Sequence, residues 1–340
     1  MDEIQTNESV LFWKDPSEQL VDQKMESAPL IAESATDDLA KIKAIVSITL
    51  GMTLVLATGY LVAVILSDGA ILLRPSEVAL ERHSGYNDLI HHDSSIDGSG
   101  VVVCIVDSGI NLDHSDFNDM ELKGWKDFIS GRSTPYDDNG HGTSMAGIIS
   151  ANGWLKGIAN DVDLLIAKAL GASGAGEDSV VADAIDWCVV GGAHIISLSL
   201  GGAPDALPFL PGTGRSSGDA ANEAIDAGIY VVAAAGNDGG EDDDGDVAHP
   251  SSETAVISVG GSTLKGTSWS GSSEGDNNGR FLPLPILLPR NDPHKKPEIV
   301  APAERVPVLT NEGGWGLADG TSAATVYVTG ALALLLEENP

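Results

Sequence analysis

Apolar positions fall along this chain in two textures. From Ala44 to Ser67 runs AIVSITLGMTLVLATGYLVAVILS, 24 residues with no charged side chain and no polar face. About 20 apolar residues suffice to cross the hydrocarbon core of a bilayer as a helix. The run starts too late and continues too long for a cleaved signal peptide, so it predicts one transmembrane helix over 44–67. Residues 1–43 are polar, acidic and weakly periodic, and are expected to form a flexible tail; 68–99, with adjacent His91 and His92, are expected to form a connector. From residue 100 onward, short apolar runs alternate with helical spacing: VVVCIVD (101–107), VDLLIAKAL (162–170), AHIISLSL (193–200), IYVVAAAG (229–236) and AVISVGG (255–261). Near-continuous apolar strands suit a parallel sheet covered on both faces. Between them Val181, Ala184, Ile185 and Cys188 recur at helical spacing within 179–190, closed by Gly191-Gly192, and 219–227 reads as a second helix closed by Gly228. The expectation is an α/β domain over 100–340 with a mostly parallel central sheet.

Charge narrows the partners. The 340 residues carry a net charge of −32, and the first 43 contribute ten acids against four lysines. Such a field repels nucleic acid, which is therefore not an expected partner. Lys41 and Lys43 flank the first end of the apolar run, whereas Arg74 is the nearest base beyond the other. The positive-inside rule then puts 1–43 in the cytoplasm and the α/β domain outside, on a single-pass anchor in the lipid bilayer. Cys104, in a strand run, and Cys188, on an apolar helix face, read as free buried thiols.

Three short motifs stand at element ends, where open parallel sheets place their sites. Asp107-Ser108-Gly109 ends the first strand run, and a carboxylate there can hold an imidazole in one tautomer. His141-Gly142-Thr143 opens HGTSMAGIIS, and Gly320-Thr321-Ser322 opens SAATVYVTGALALLL. The free N–H groups of a helix start favour negative charge beside that serine. Each motif alone is an ordinary turn or cap. In the order Asp, His, Ser they supply orienter, base and nucleophile. Asn237, after 229–236, can donate its amide to a developing oxyanion, a contribution of about 2.7–4 kcal/mol where enzymes use it.

From residue 100 to its end the chain resembles the subtilisin-like serine proteases. The likeness is carried by VVVCIVDSGINLDHSDF, NGHGTSMAGI, IISLSLGG, VVAAAGNDGG, KPEIVAPA and GTSAA. It implies a three-layer α/β domain in which Asp107 orients His141, His141 is base and then acid, and Ser322 is the nucleophile. Asn237 and the Ser322 N–H would form the oxyanion hole. The family binds peptide as an added strand, here between Gly174-Ala175-Gly176 and Ser199-Leu200-Gly201, with Ala234 to Gly236 as a wall of the primary pocket. Asp238 and the five acids of 241–246 point to a basic side chain beside the cleaved bond. Small Ala234 and Ala248 point instead to an apolar pocket, which the resemblance favours.

The departures from the family pattern concern packing and metal. Val326 and Tyr327 stand where the family has Pro and His. The segment ANGWLKGIANDVD is too short for the family's calcium loop, so the usual strong calcium site is expected to be absent, although Asp116 matches one of its ligands. The run EDDDGD (241–246) reads as a solvated acidic loop, and no cofactor is required for the chemistry. Residues 68–99 are too few for the family's inhibitory propeptide, and the family usually continues past the position of Pro340, so the C-terminal end is expected to be minimal or truncated. The function expected is a membrane-anchored serine endopeptidase acting on peptide or protein substrates. The alternative is a catalytically silent anchored peptide-binding homologue, disfavoured because all four positions carry the competent residue.

Overall fold

Strand parity decides which layer each side chain joins. The computed structural model describes residues 32–66, 74–118, 120–202, 215–241, 243, 245–281 and 286–339. The chain forms two compact units, 1–69 and 70–340. The first is helix α1, Ala32–Leu66. Its 26-residue segment Asp38–Ala63, whose most apolar 18 residues have a mean hydropathy of 2.0, is long and apolar enough to cross a membrane. Thr49 and Thr53 donate their hydroxyls back to the Ile45 and Thr49 carbonyls, each at 2.9 Å, so these polar groups find partners within the helix, as hydrocarbon surroundings demand. The helix begins at Ala32, so the last residues of the expected flexible tail are helical; residues 1–31 and Ser67 lie outside the described residues.

The second unit opens with helix α2, Glu77–Leu89, inside the stretch expected to be a connector. Ser76 caps it by accepting the Ala79 N–H at 3.2 Å. Buried Tyr86 packs near Tyr327, and both Tyr86 Oη and Arg82 donate to the Glu304 carbonyl. This stretch is thus part of the folded domain. Then follow β1 Val102–Asp107, β2 Gly124–Asp127, α3 His141–Ser150, β3 Asp163–Lys168, α4 Asp178–Val190 and β4 Ile195–Leu198. After them come α5 Ser217–Asp226, β5 Tyr230–Ala234, β6 Ile257–Ser262, β7 Asn277–Phe281 and β8 Ile286–Pro289. The last elements are β9 Ile299–Pro302, β10 Val306–Leu309, β11 Trp315–Ala318 and α6 Thr321–Glu338.

Seven strands form one sheet in the order β2-β3-β1-β4-β5-β6-β9, and every pair in it is parallel. Val103, Ile105, Leu164, Ile166, Ile195 and Val232 face one core, with Met145 and Ile149 of α3 and Ala324 of α6. Their strand neighbours Val102, Cys104, Val106, Leu165, Ile196 and Val231 face the other, with Ile185 of α4 and Ala221 of α5. The result is three layers, and both sheet faces are dry, which is why the strand runs lack polar alternation. Cys104 and Cys188 lie on the same side of the sheet and are joined in a disulfide, which corrects the expectation of two free thiols. Apolar surroundings placed both sulfurs correctly; their facing each other across β1 and α4 is a tertiary event.

Candidate active site

The chain leaves β1 toward β2 and β3 on one side, and β4 adds on the other, so the strand order reverses between β1 and β4. Ligands of open α/β sheets bind at the carboxyl ends of strands beside such a reversal. Asp107 is the last residue of β1 and wholly buried. Its Oδ1 also accepts the Ser108 N–H at 2.6 Å. The same carboxylate meets His141 Nδ1 at 2.8 and 2.9 Å through its two oxygens.

His141 opens α3, whose first turn is seated by Asp137. Asp137 Oδ1 accepts from Ser108 Oγ at 2.9 Å, Asn139 N at 3.0 Å and Gly140 N at 2.8 Å. Its Oδ2 accepts from Thr143 N at 2.9 Å and Thr143 Oγ1 at 2.7 Å. Gly140 supplies the left-handed turn, with φ 101°. Gly142 lets α3 approach β1's exit, since a Cβ there would lie 2.1 Å from the Gly109 carbonyl oxygen. Burial alone would raise the Asp137 pKa, but the hydrogen bonds from Gly140, Thr143 and Asn139 prevail and hold it below the ordinary carboxylate value. Burial alone would lower the His141 pKa; the charge and hydrogen bond of Asp107, with Asp137 behind, prevail and raise it above the ordinary histidine value. Buried Lys168, level with Asp107 on β3, donates to the Ser108 and Leu170 carbonyls at 2.6 and 2.9 Å and to Asp138 at 2.6 Å. Asp137, Asp138 and Lys168 were missed in the sequence, where 50 acids in one chain gave these two no distinguishing mark.

Ser322 is the second residue of α6, so its N–H lies among those no carbonyl four residues back can reach. Its hydroxyl donates to the Ser199 carbonyl at 3.0 Å, and Ser199 Oγ donates back to the Ser322 carbonyl at 3.0 Å. Asn237 is held by its oxygen: Oδ1 accepts Thr321 N at 2.9 Å and Thr321 Oγ1 at 3.1 Å. Thr321 Oγ1 also bonds the Gly236 backbone at 3.1 Å. With Oδ1 so engaged, the amide's N–H groups are its remaining hydrogen-bonding face.

His141, Ser322 and Asn237 line one cleft of about 510 Å3. Gly174, Ala175, Gly176, Ser199, Leu200 and Gly201 line it too, so six of the eight expected substrate positions converge there. Ala234 and Gly236 do not: Ala234 is buried, and a Cβ on Gly236 would meet Ser273 Oγ at 2.4 Å. Of the acids expected near the cleaved bond, Asp238 is bonded by Ser273 Oγ, Asp243 by the Gly245 and Glu274 N–H groups, and Asp246 pairs with Arg290. None of these lines the cleft, whereas Asp178 and His249, neither foreseen, do. Asp242 and Asp244 lie outside the described residues.

Comparisons with known proteins agree with this arrangement. The sequence model of the subtilase family matches residues 98–340. Subtilisin Savinase of Lederbergia lenta is 32% identical over 252 residues, covering 73% of this chain and 81% of that protein. An alkaline protease of Alkalihalobacillus alcalophilus is 32% identical over 73% of this chain, which spans only 57% of its length, and subtilisin E of Bacillus subtilis (strain 168) is 30% identical over 73% of this chain and 58% of its own. Among solved structures, a cold adapted subtilisin-like serine proteinase superposes with a TM-score of 0.59 at 26% identity, covering 73% of this chain and 79% of that one. The seven-stranded three-layer domain has the subtilisin-like fold, and with a family match that takes in every element from β1 to α6, the chain belongs to the subtilase family.

Proposed function

We propose that this protein is a membrane-anchored serine endopeptidase using Asp107, His141 and Ser322 as its triad and Asn237 with the Ser322 N–H as its oxyanion hole. That it is a hydrolase acting on peptide bonds follows from its family. The observation that carries the triad is the two-oxygen grip of Asp107 on His141 Nδ1, at 2.8 and 2.9 Å, in the cleft that also holds Ser322. It directs Nε2 outward as the free basic nitrogen. On substrate binding the Ser322 hydroxyl exchanges its bond to the Ser199 carbonyl for one to Nε2; such bonds tighten only in the loaded enzyme. His141 then takes the serine proton as Oγ attacks the scissile carbonyl carbon, and the oxyanion receives the Asn237 amide. Collapse breaks the C–N bond, and His141 returns the proton to the departing amine. Water repeats the sequence on the acyl-enzyme, releasing the acid and restoring Ser322. Peptide is held as a strand between Gly174–Gly176 and Ser199–Gly201.

No metal enters this scheme. Asp116, the residue matching the family's calcium ligand, has its Oδ2 engaged by Trp315 Nε1 at 2.8 Å and Leu155 N at 2.9 Å, which supports the reading that the residues here do not fit the family's strong calcium site. Anchoring rests on α1, and the outward orientation on Lys41 and Lys43 at its first end. The Cys104–Cys188 disulfide supports the same orientation, since such bonds persist in oxidising compartments. A fluorophosphonate probe tests the chemistry: it should label the full chain and spare Ser322→Ala. Equal labelling of the two would refute the assignment.

A further inference from the structure

We infer that Asp178 makes this peptidase prefer substrates with a lysine or arginine side chain at one defined position of the bound strand; the inference rests on the peptidase reading above and adds a substrate class to it. Asp178 begins α4, is half-buried, and lines the cleft beside Gly176 and Val181. It is the single carboxylate among the described residues of the cleft wall, and no lysine or arginine joins it there. Its Oδ2 accepts the Ser217 N–H at 3.1 Å at the start of α5, so the acid is held in place before any substrate arrives, which lowers the ordering cost of binding.

Among the described residues, no lysine or arginine neutralises that end of the cleft. Arg215, just before α5, is taken up by Asp186 and Glu223. His249, also in the cleft wall, accepts the Gly218 N–H through Nε2 at 3.1 Å, which requires an unprotonated Nε2, and its Nδ1 faces Glu253 at 3.8 Å. An incoming ammonium or guanidinium therefore meets an unpaired carboxylate oxygen in a partly desolvated wall, and an acidic side chain meets repulsion. Side chains of a bound strand alternate between two faces, so one register position reaches Asp178 and its immediate neighbours point away. Selection is thereby positional, beyond the general pull of an acidic protein on cations.

The test uses the detergent-solubilised full chain and peptides in which a single Lys, Gln or Glu is walked through each position around the scissile bond. At one position kcat/KM should favour Lys over Gln by about fivefold at low salt, with Glu poorest. The ratio should shrink as ionic strength rises. Asp178→Asn, which keeps an acceptor for Ser217, should bring the Lys-to-Gln ratio close to one, and Asp178→Glu should retain the preference. An unchanged ratio in Asp178→Asn at every position overturns the inference. Should that variant not fold, the wild-type enzyme decides alone: a ratio that ignores salt at all positions overturns it. Failure of the underlying reading looks different, because wild type would then cut none of the peptides, or Ser322→Ala would cut them equally well.

Discussion

Replacing Asp137 by asparagine removes one charge and disturbs five hydrogen bonds at once. The carboxylate accepts from Ser108, Asn139 and Gly140 on one oxygen and from Thr143 twice on the other. An amide can keep only one of these sets, because its nitrogen is a donor and faces donors on the other side. The cheaper choice sacrifices the Thr143 pair, whose hydroxyl can turn but whose N–H is left without an acceptor. One orphaned N–H costs about 1–3 kcal/mol, and the remaining bonds lose their charge assistance. Together the loss should be about 3–5 kcal/mol, roughly a 10 °C fall in Tm for a domain of this size. The measurement is denaturant or thermal unfolding of the detergent-solubilised chain in a Ser322→Ala background, which prevents self-digestion. Because the Asp137 pKa lies below its unfolded value, its stabilisation is present above the unfolded pKa and is lost as pH falls through the folded one. The gap between wild type and Asp137→Asn should therefore close in acid. The same charge helps raise the His141 pKa. His141 must be neutral to act as base, so wild-type activity should rise with pH through a midpoint above about 6.5, and Asp137→Asn should move that midpoint down. Stability within 0.5 kcal/mol of wild type (a bound set by what surface substitutions usually cost, about ±0.5 kcal/mol), together with an unmoved acid limb, would refute the reasoning.

The other expectations are simpler. Asn237→Ala should cut kcat by about 10²–10³ with little change in KM, and Thr321→Val, which removes the hydroxyl's bond to Asn237 Oδ1 and leaves the backbone one, should produce a milder loss of the same kind; an equal effect on KM would point to binding instead. Cys104→Ala with Cys188→Ala opens a bridge spanning 84 residues of sequence and should cost about 2–5 kcal/mol, read from the denaturation midpoint; a chain whose Tm ignores reductant and substitution alike would contradict it. A protease added outside intact cells should reach sites beyond Arg74 and spare residues 1–43; the reverse pattern would overturn the orientation while leaving the chemistry intact.

Much of the site was readable because its parts sit at strand and helix ends beside glycine. Asp107, His141, Asn237 and Ser322 each end, follow or open an element whose apolar pattern is unambiguous, and the near-continuous apolar runs of β1, β3, β4 and β5 pointed to a sheet covered on both faces. What was illegible depends on pairing across the fold. Asp137 lies 30 residues from Asp107 in a stretch without apolar pattern, and its importance comes from five donors arriving from four residues. Lys168 ends a buried strand, a poor place for a lysine until the carbonyls of Ser108 and Leu170 are seen around it. Helix α2 buries only Ala79 and Tyr86, too few positions to mark a face. Cys104 and Cys188 were recognised as buried, and only the packing of α4 on β1 makes them partners.

Helix α2 also has a mechanical meaning. A load drawn along the chain from its N-terminal side reaches α2 before it reaches β1, the strand that carries Asp107. Two clamps stand in its way. Arg82 and Tyr86 grip the Glu304 carbonyl, and Glu337 at the end of α6 receives the Asp97 and Gly98 N–H groups at 3.0 and 2.7 Å. Both join segments more than 200 residues apart in sequence, so a pull must shear packed side chains before it can peel β1 from the sheet. Under the anchoring proposed above, the stretch 74–98 would work as a strain relief, like the collar where a cable enters its housing, so that tension from such a tether would be spent before it could displace the carboxylate behind His141.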